Sequence, residues 1–146
     1  MKTIVITGPS GSGKSELTHK LLERFSDSIV LKTDSYYRDN ILIRLLSIFK
    51  FDIYDRLISI KKNEINKTIS SIYNKERLIS FCQYDFKRKQ SSQSKIRIDY
   101  TDKNQFLILE GIFSHRLDLN YHKTTNIICE EEKKICFKRR LKRDQL

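Results

Sequence analysis

Eight residues near the N-terminus, Gly8-Pro9-Ser10-Gly11-Ser12-Gly13-Lys14-Ser15, constrain the chain more than anything that follows them. Before them runs Thr3-Ile4-Val5-Ile6-Thr7, β-branched throughout, which reads as a strand buried on both faces, as in a parallel sheet. After them, Ser15 to Phe25 places Leu17, Leu21, Leu22 and Phe25 at helical spacing. Strand, glycine loop and helix in that order open a βαβ unit. The loop fits GxxxxGK[ST], and its chemistry accounts for each position. Gly8 and Gly13 admit backbone angles and close approaches that a Cβ blocks. Successive N–H groups around Ser10 to Lys14 form a concave nest for a phosphate. The helix adds the positive end of its dipole. In such a cradle Lys14 reaches the β- and γ-phosphates and the Ser15 hydroxyl ligates Mg²⁺. The only proline and three of the four glycines of the chain lie in this loop, so glycine is spent where phosphate binding needs it. The expected ligands are ATP and Mg²⁺.

A chain of 146 residues suits one domain spanning 1–146, and a hydrophobic fraction of 38% suffices for its core. No stretch approaches the roughly 18 apolar residues that cross a membrane, and the N-terminus carries no leader pattern. The expected compartment is the cytoplasm, with no membrane partner. Cys82, Cys129 and Cys136 are odd in number and lack CxxC spacing, which reads as small buried hydrophobes in a reducing compartment. His19, His115 and His122 show no metal-ligand spacing. The net charge of +11 leaves two readings open: phosphate contacts to nucleic acid, or attraction of a small anion such as a nucleotide.

Further along, Ile29 to Lys32 reads as a second short strand running into Asp34. Residues 41–49 read as a helix. Tyr54 to Ile72 reads as one or two helices with Leu57, Ile58, Ile65, Ile69 and Ile72 on the inner side. Leu78 to Gln83 and Lys95 to Tyr100 look like strands of a small β-ribbon, separated by a basic loop from Lys87 to Ser94. Phe106 to Leu109 is a continuous apolar strand stopped by Glu110-Gly111, and Ile127 to Cys129 is the last strand. Glu131 to Arg143 reads as a helix with acids first and bases last, as its dipole favours. Alternating strands and helices indicate a three-layer α/β/α domain with a mostly parallel sheet.

The ordered set Gly8 to Ser15, Asp34-Ser35-Tyr36-Tyr37, Phe51-Asp52, Tyr84-Asp85-Phe86, Leu107-Ile108-Leu109-Glu110-Gly111 and Arg140-Leu141-Lys142-Arg143-Asp144 resembles the uridine kinase family. That family belongs to the phosphoribulokinase–uridine kinase group of P-loop kinases, and the resemblance spans nearly the whole chain. It implies the P-loop nucleoside triphosphate hydrolase fold and transfer of the ATP γ-phosphate to the 5′-hydroxyl of a pyrimidine nucleoside. Asp34 is then the base that orients the acceptor hydroxyl. Glu110 resembles the Walker B acid that serves Mg²⁺ with Ser15. The resemblance places Tyr37 and Asp52 near the nucleoside, with Phe51 and Tyr84 beside the base. It makes Arg140 and Arg143, neighbours at i,i+3, the start of a lid that neutralises the transferring phosphate with Lys14. Where the family has a His and then an Arg after Tyr-Asp-Phe, this chain has Lys89 and Ser91. The family's Pro-Asp after Phe-Asp is Tyr54-Asp55 here. Family members carry further lid residues beyond the motif at 140–144, so the lid within this sequence is expected to be incomplete.

Two rivals stand beside this reading. One is a related P-loop kinase for another small alcohol, such as pantothenate or a sugar phosphate. The other is a catalytically weak nucleotide-binding module that touches nucleic acid through its basic surface. Against the second, the aromatics are not clustered as a stacking platform. The expected partners are ATP and a small nucleoside, and a homo-oligomer is left open.

Overall fold

The structure, a computed structural model, describes residues 1–39, 57–85, 88, 90–101, 105–117, 119 and 123–144, with only the backbone of 57, 143 and 144. The expected helix over 41–49 lies outside the described residues. The chain divides into two compact units, Met1–Lys32 with Thr101–Leu146, and Thr33–Tyr100.

The first unit is a four-stranded sheet in the order β2-β5-β1-β6, with β1 Lys2–Thr7, β2 Ile29–Lys32, β5 Phe106–Glu110 and β6 Thr124–Ile128. Each pairing is parallel. Val5, Ile6, Leu107, Ile108 and Leu109 have no exposed surface and Leu31 almost none, which is why these strands read as unbroken apolar runs rather than alternating ones. Helix α1, Lys14–Arg24, crosses from β1 to β2. Phe25 and Phe106 stack obliquely just beyond it, centroids 4.8 Å apart. The register sets Ile6 beside Glu110 and Thr7 beside Ile128. Residues 8–15 therefore leave the sheet between the ends of two neighbouring strands, where ligands of open α/β sheets bind. The final helix, α3, spans Lys133–Asp144. It starts two residues later than its acids suggested: Glu131 and Glu132 stand ahead of it, and the Glu132 carbonyl accepts the Cys136 N–H.

The second unit packs α2, Lys62–Tyr73, against a hairpin of β3, Leu78–Asp85, and β4, Gln90–Arg97. Ile65, Ile69 and Ile72 of α2 are buried with Ile60, Ile79, Cys82 and Ile98. Ile58 departs from its expected inner position: it lies in a 3₁₀ turn, Leu57–Ser59, and is 62% exposed. The helical period set by Ile65, Ile69 and Ile72 does not extend back through that turn, so Ile58 falls outside the buried stripe. The basic loop expected from Lys87 to Ser94 is also corrected. From Gln90 onward it is strand, with Ser91 opposite Tyr84 and Ser94 opposite Phe81. Pairing to the more apolar β3 supplies its backbone hydrogen bonds, so β4 needs no buried stripe, and most of its residues are exposed. The strand stops at Arg97 rather than Tyr100, and Ile98 turns inward as its N–H bonds the Arg77 carbonyl.

Candidate functional site

The loop between β1 and α1 is braced in part by its own atoms. The Pro9 carbonyl accepts two bonds, from the Ser12 N–H at 3.2 Å and from Lys14 Nζ at 2.9 Å. Lys14 is 6% exposed and opens α1, so its ammonium is drawn back over the loop rather than out to water. Gly11 and Gly13 have φ of 86° and 92°, left-handed values that cost an L side chain about 1–2 kcal/mol. A Cβ on Gly13 meets no atom within 4 Å, so there the glycine is demanded by backbone angle and the space beside it stays open. Gly13 also caps α1 and, lacking a side chain, makes no side-chain cap hydrogen bond. The orphan N–H groups of a helix start favour an anion there.

Ser15 and Glu110 meet across 95 residues: the hydroxyl donates to Glu110 Oε1 at 2.5 Å. Glu110 is 7% exposed, held there because β5 pairs in register with β1. A buried carboxylate beside a hydroxyl, at the mouth of a phosphate-shaped loop, fits the hard-oxygen partial shell that Mg²⁺ takes when nucleotide phosphates and water supply the rest. Among the described residues no group of three His, Cys, Asp or Glu side chains is placed to hold a metal alone. One network here escaped sequence reasoning. Thr7, the last residue of β1, donates its hydroxyl to the Ile112 carbonyl at 2.9 Å and lies 2.9 Å from His115 Nδ1. With its one proton already given, Thr7 accepts from Nδ1–H, and His115 Nε2 is left to accept from Arg116 Nε at 3.3 Å. Nothing in the sequence marks His115, because its partner is 108 positions away.

Of the helix α3 bases, Arg139 reaches the loop: its Nη1 donates to the Gly11 carbonyl at 3.1 Å and pairs with Glu131 Oε2 at 3.2 Å. Arg140 lies on the exposed side of α3. The Arg143 side chain, and all of Phe51, Asp52, Tyr54, Asp55 and Lys89, lie outside the described residues.

Asp34 belongs to the second unit, half-buried in a 3₁₀ turn, Thr33–Tyr36, directly after β2. That turn is braced within its unit. Tyr36 is 1% exposed and its hydroxyl donates to Thr68 Oγ1 at 3.1 Å. Thr68 in turn lies 3.0 Å from the Glu64 carbonyl and 3.2 Å from that of Ser80. Burial pushes the Tyr36 phenol above its ordinary value, against the Thr68 hydrogen bond. Tyr37 is 3% exposed and pairs with Tyr84, ring centroids 5.6 Å apart and tilted by 58°. The structure thus brings Tyr37 to Tyr84 as packed rings, with Tyr84 the more accessible of the two. Beyond them Asp39 ties three pieces together: Oδ1 to Lys61 Nζ at 3.1 Å, and Oδ2 accepting from the Ser91 N–H at 3.1 Å. Partial burial works to raise the Asp39 carboxyl, but the Lys61 and Ser91 bonds outweigh it and hold it below its ordinary value.

No helix among the described residues is long and apolar enough to cross a membrane. Among solved structures the chain is similar to a protein named provisionally as a fructose transport system kinase from Silicibacter sp. TM1040, at 15% identity and a TM-score of 0.73, over 99% of this chain and 72% of that one. It is also similar to a possible uridine kinase from Bacillus stearothermophilus, at 14% identity and a TM-score of 0.65, over 99% of this chain and 78% of that one. At such identities the likeness establishes the fold alone, a P-loop α/β/α fold with a mostly parallel sheet and a small antiparallel ribbon. No curated protein matches the sequence. Residues 4–98, from β1 through the loop and the whole β3–β4 hairpin, match the model of the family described as RNA helicase, and the chain belongs to that family of P-loop domains.

Proposed function

We propose that the protein is an ATP-dependent phosphotransferase of the P-loop kinase type, acting on a hydroxyl of a small molecule, and that the acceptor is the 5′-hydroxyl of a pyrimidine nucleoside. The observation that carries the reading is the Ser15–Glu110 hydrogen bond at the end of the phosphate loop. It sets the residue after the loop lysine against a buried acid on the neighbouring strand, the pair that Mg-nucleotide chemistry requires. Lys14 neutralises charge on the β- and γ-phosphates, and Gly8 to Ser15 offer the backbone amides. Ser15 and Glu110 would hold Mg²⁺, which would supply further charge neutralisation at the phosphates. Asp34 accepts the proton of the acceptor hydroxyl. The freed oxygen forms a bond to the γ-phosphorus as the bond to the β-bridging oxygen breaks, and ADP leaves with that electron pair. Arg140 and Arg143 neutralise the phosphoryl group in transit. Tyr37, Phe51, Asp52 and Tyr84 form the acceptor side, with Asp52 on the ribose hydroxyls and the rings beside the base. The test is ADP release from Mg-ATP with uridine, cytidine, pantothenate and simple sugars as acceptors. Release with uridine or cytidine, abolished by Asp34→Asn while Mg-ATP still binds, is the expected result. Release with pantothenate but neither nucleoside would refute the acceptor class.

A second reading has its own support. The family match is to RNA helicases. Helix α3 also turns Lys133, Lys134, Phe137, Lys138, Leu141 and Lys142 outward on one face, with Phe137 61% exposed. This is a basic surface carrying an aromatic ring, suited to single-stranded nucleic acid. It predicts that single-stranded RNA raises ADP release with no alcohol present. It further predicts that binding weakens steeply with salt and that Lys134→Ala with Lys138→Ala lowers the salt slope by about 2. The same assay separates the readings: stimulation by a nucleoside and not by RNA selects the kinase.

A further inference from the structure

We propose that Arg139 is a positioning residue for the phosphate loop, acting from helix α3 through the carbonyl of Gly11. Its consequence for nucleotide affinity rests on the nucleotide-binding reading above. A peptide group is planar and trans, so the Gly11 carbonyl and the Ser12 N–H point in opposite directions from one rigid plate. The structure holds both edges of that plate. The N–H edge is bonded to the Pro9 carbonyl at 3.2 Å. The carbonyl edge is bonded to Arg139 Nη1 at 3.1 Å. Gly11 has φ of 86°, a conformation in which glycine has no steric brake of its own. Within the loop only the N–H edge of the plate is held, so the Arg139 bond to its carbonyl edge is the brace from outside, and the orientation of the following amides at Gly13 and Lys14 depends on it.

The grip is aimed rather than incidental. The nitrogen that donates to Gly11 also forms an ion pair with Glu131 Oε2 at 3.2 Å, which holds the guanidinium beside the loop. Glu131 is itself anchored, its Oε1 accepting the Glu132 N–H. The segment around these residues backs the loop closely. A Cβ at Gly11 would stand 2.5 Å from the Cys136 carbonyl, and one at Gly8 would collide with the Cys129 carbonyl. Residues 129–139 thus form a wall behind the loop, and Arg139 is the hydrogen-bonding hand on it. A lysine ammonium can also donate, but on a flexible stem without the rigid planar geometry of a guanidinium, so it holds the carbonyl less firmly. This role differs from that given to Arg140 and Arg143, because Arg139 meets the loop backbone rather than the moving phosphate.

The experiment uses the full chain and four variants, Arg139→Ala, Arg139→Lys, Glu131→Gln, and Lys20→Ala as an exposed control on α1. Hydrogen–deuterium exchange over residues 8–15 is read without nucleotide, and affinity for Mg-ATP and Mg-ADP by calorimetry. Arg139→Ala should raise exchange in the loop, with β1 and β5 still protected, and weaken both nucleotides by about threefold to tenfold, the net worth of one solvent-exposed hydrogen bond. KM for ATP should rise by the same factor with kcat kept. Arg139→Lys should recover part of the loss and Glu131→Gln should show part of it. Unchanged loop exchange in Arg139→Ala overturns the proposal, as does a fall in kcat at constant KM, which would place the guanidinium on the reacting phosphate. Should Arg139→Ala lose β1 and β5 protection, the same readouts on Arg139→Lys and Glu131→Gln decide. Should the wild-type chain bind neither nucleotide, the nucleotide reading fails, and the exchange measurement still decides whether Arg139 holds the loop.

Discussion

Glu110 is a carboxylate that the sheet alone would not choose to bury. It is 7% exposed at the end of a strand whose three preceding residues have no exposed surface at all, and its Oε1 takes the Ser15 hydroxyl. Glu110→Gln keeps shape and hydrogen bonding but removes the charge. The expected result is a loss of turnover of about 10²- to 10³-fold, the scale seen when one electrostatic stabiliser is deleted, with the Mg²⁺ needed for half-maximal rate raised. Steady-state kinetics across a Mg²⁺ titration checks it, and a wild-type Mg²⁺ curve would remove Glu110 from the metal site. Gly11→Ala tests the loop in a different way. It forces a Cβ into a left-handed backbone and against the Cys136 carbonyl, for a cost of about 1–3 kcal/mol, readable in urea unfolding. Lys14, Ser15 and Glu110 could be found from sequence because their chemistry demands a residue type at a set distance from a glycine or a strand end. Arg139 could be seen as one of several bases on a helix, but not that it, rather than its neighbours, meets Gly11 across 128 positions.

The β3–β4 hairpin shows what one element owes to another. Half of β4 was unreadable because Gln90 to Ser94 carry no apolar alternation; their strand character comes from β3, which the sequence does mark. The turn end of that hairpin is tied at Ser91 by a single carboxylate, Asp39, which bridges the Ser91 N–H and Lys61, the residue just ahead of α2. This makes an acid-sensitive clasp with a definite sign. The folded Asp39 carboxyl lies below its ordinary 3.8, so its contribution is whole above that value and is lost as pH falls from there through the lowered folded value. Asp39→Asn should therefore flatten the stability curve below pH 3.8 and leave its slope nearer neutrality unaltered. Urea midpoints at a series of acid pH values measure this, and parallel acid limbs for the two proteins would refute it. Deeper in the same unit, Thr68 is the shared partner of Tyr36 and two carbonyls. Thr68→Val keeps the branched shape but strands a buried phenol, at a cost of about 1–3 kcal/mol.

At the scale of the whole chain, the unit that holds the phosphate loop is assembled from two separated stretches, Met1–Lys32 and Thr101–Leu146, whereas the unit that holds Asp34 is continuous from Thr33 to Tyr100. The unbroken apolar runs of the strands reveal the parallel sheet, but no local pattern announces that the middle of the chain packs as a body of its own, because both units use the same buried Ile and Leu. The division bears on how nucleotide should act on stability. A ligand that binds only the folded loop adds RT ln(1 + [L]/Kd), about 2.7 kcal/mol at a hundredfold excess over Kd. For a chain near this length, that corresponds to a rise in melting temperature of about 5–11 °C. Because the bonds that shape the loop all come from the first unit, from Pro9, Lys14, Arg139 and the Ser15–Glu110 pair, the gain should appear as hydrogen-exchange protection in β1, α1 and β5. The α2–hairpin unit should gain less. Lys14→Ala should abolish the shift and chelation of Mg²⁺ should shrink it. Equal protection spread over both units, or a shift that survives Lys14→Ala, would mean that the nucleotide is gripped somewhere other than residues 8–15.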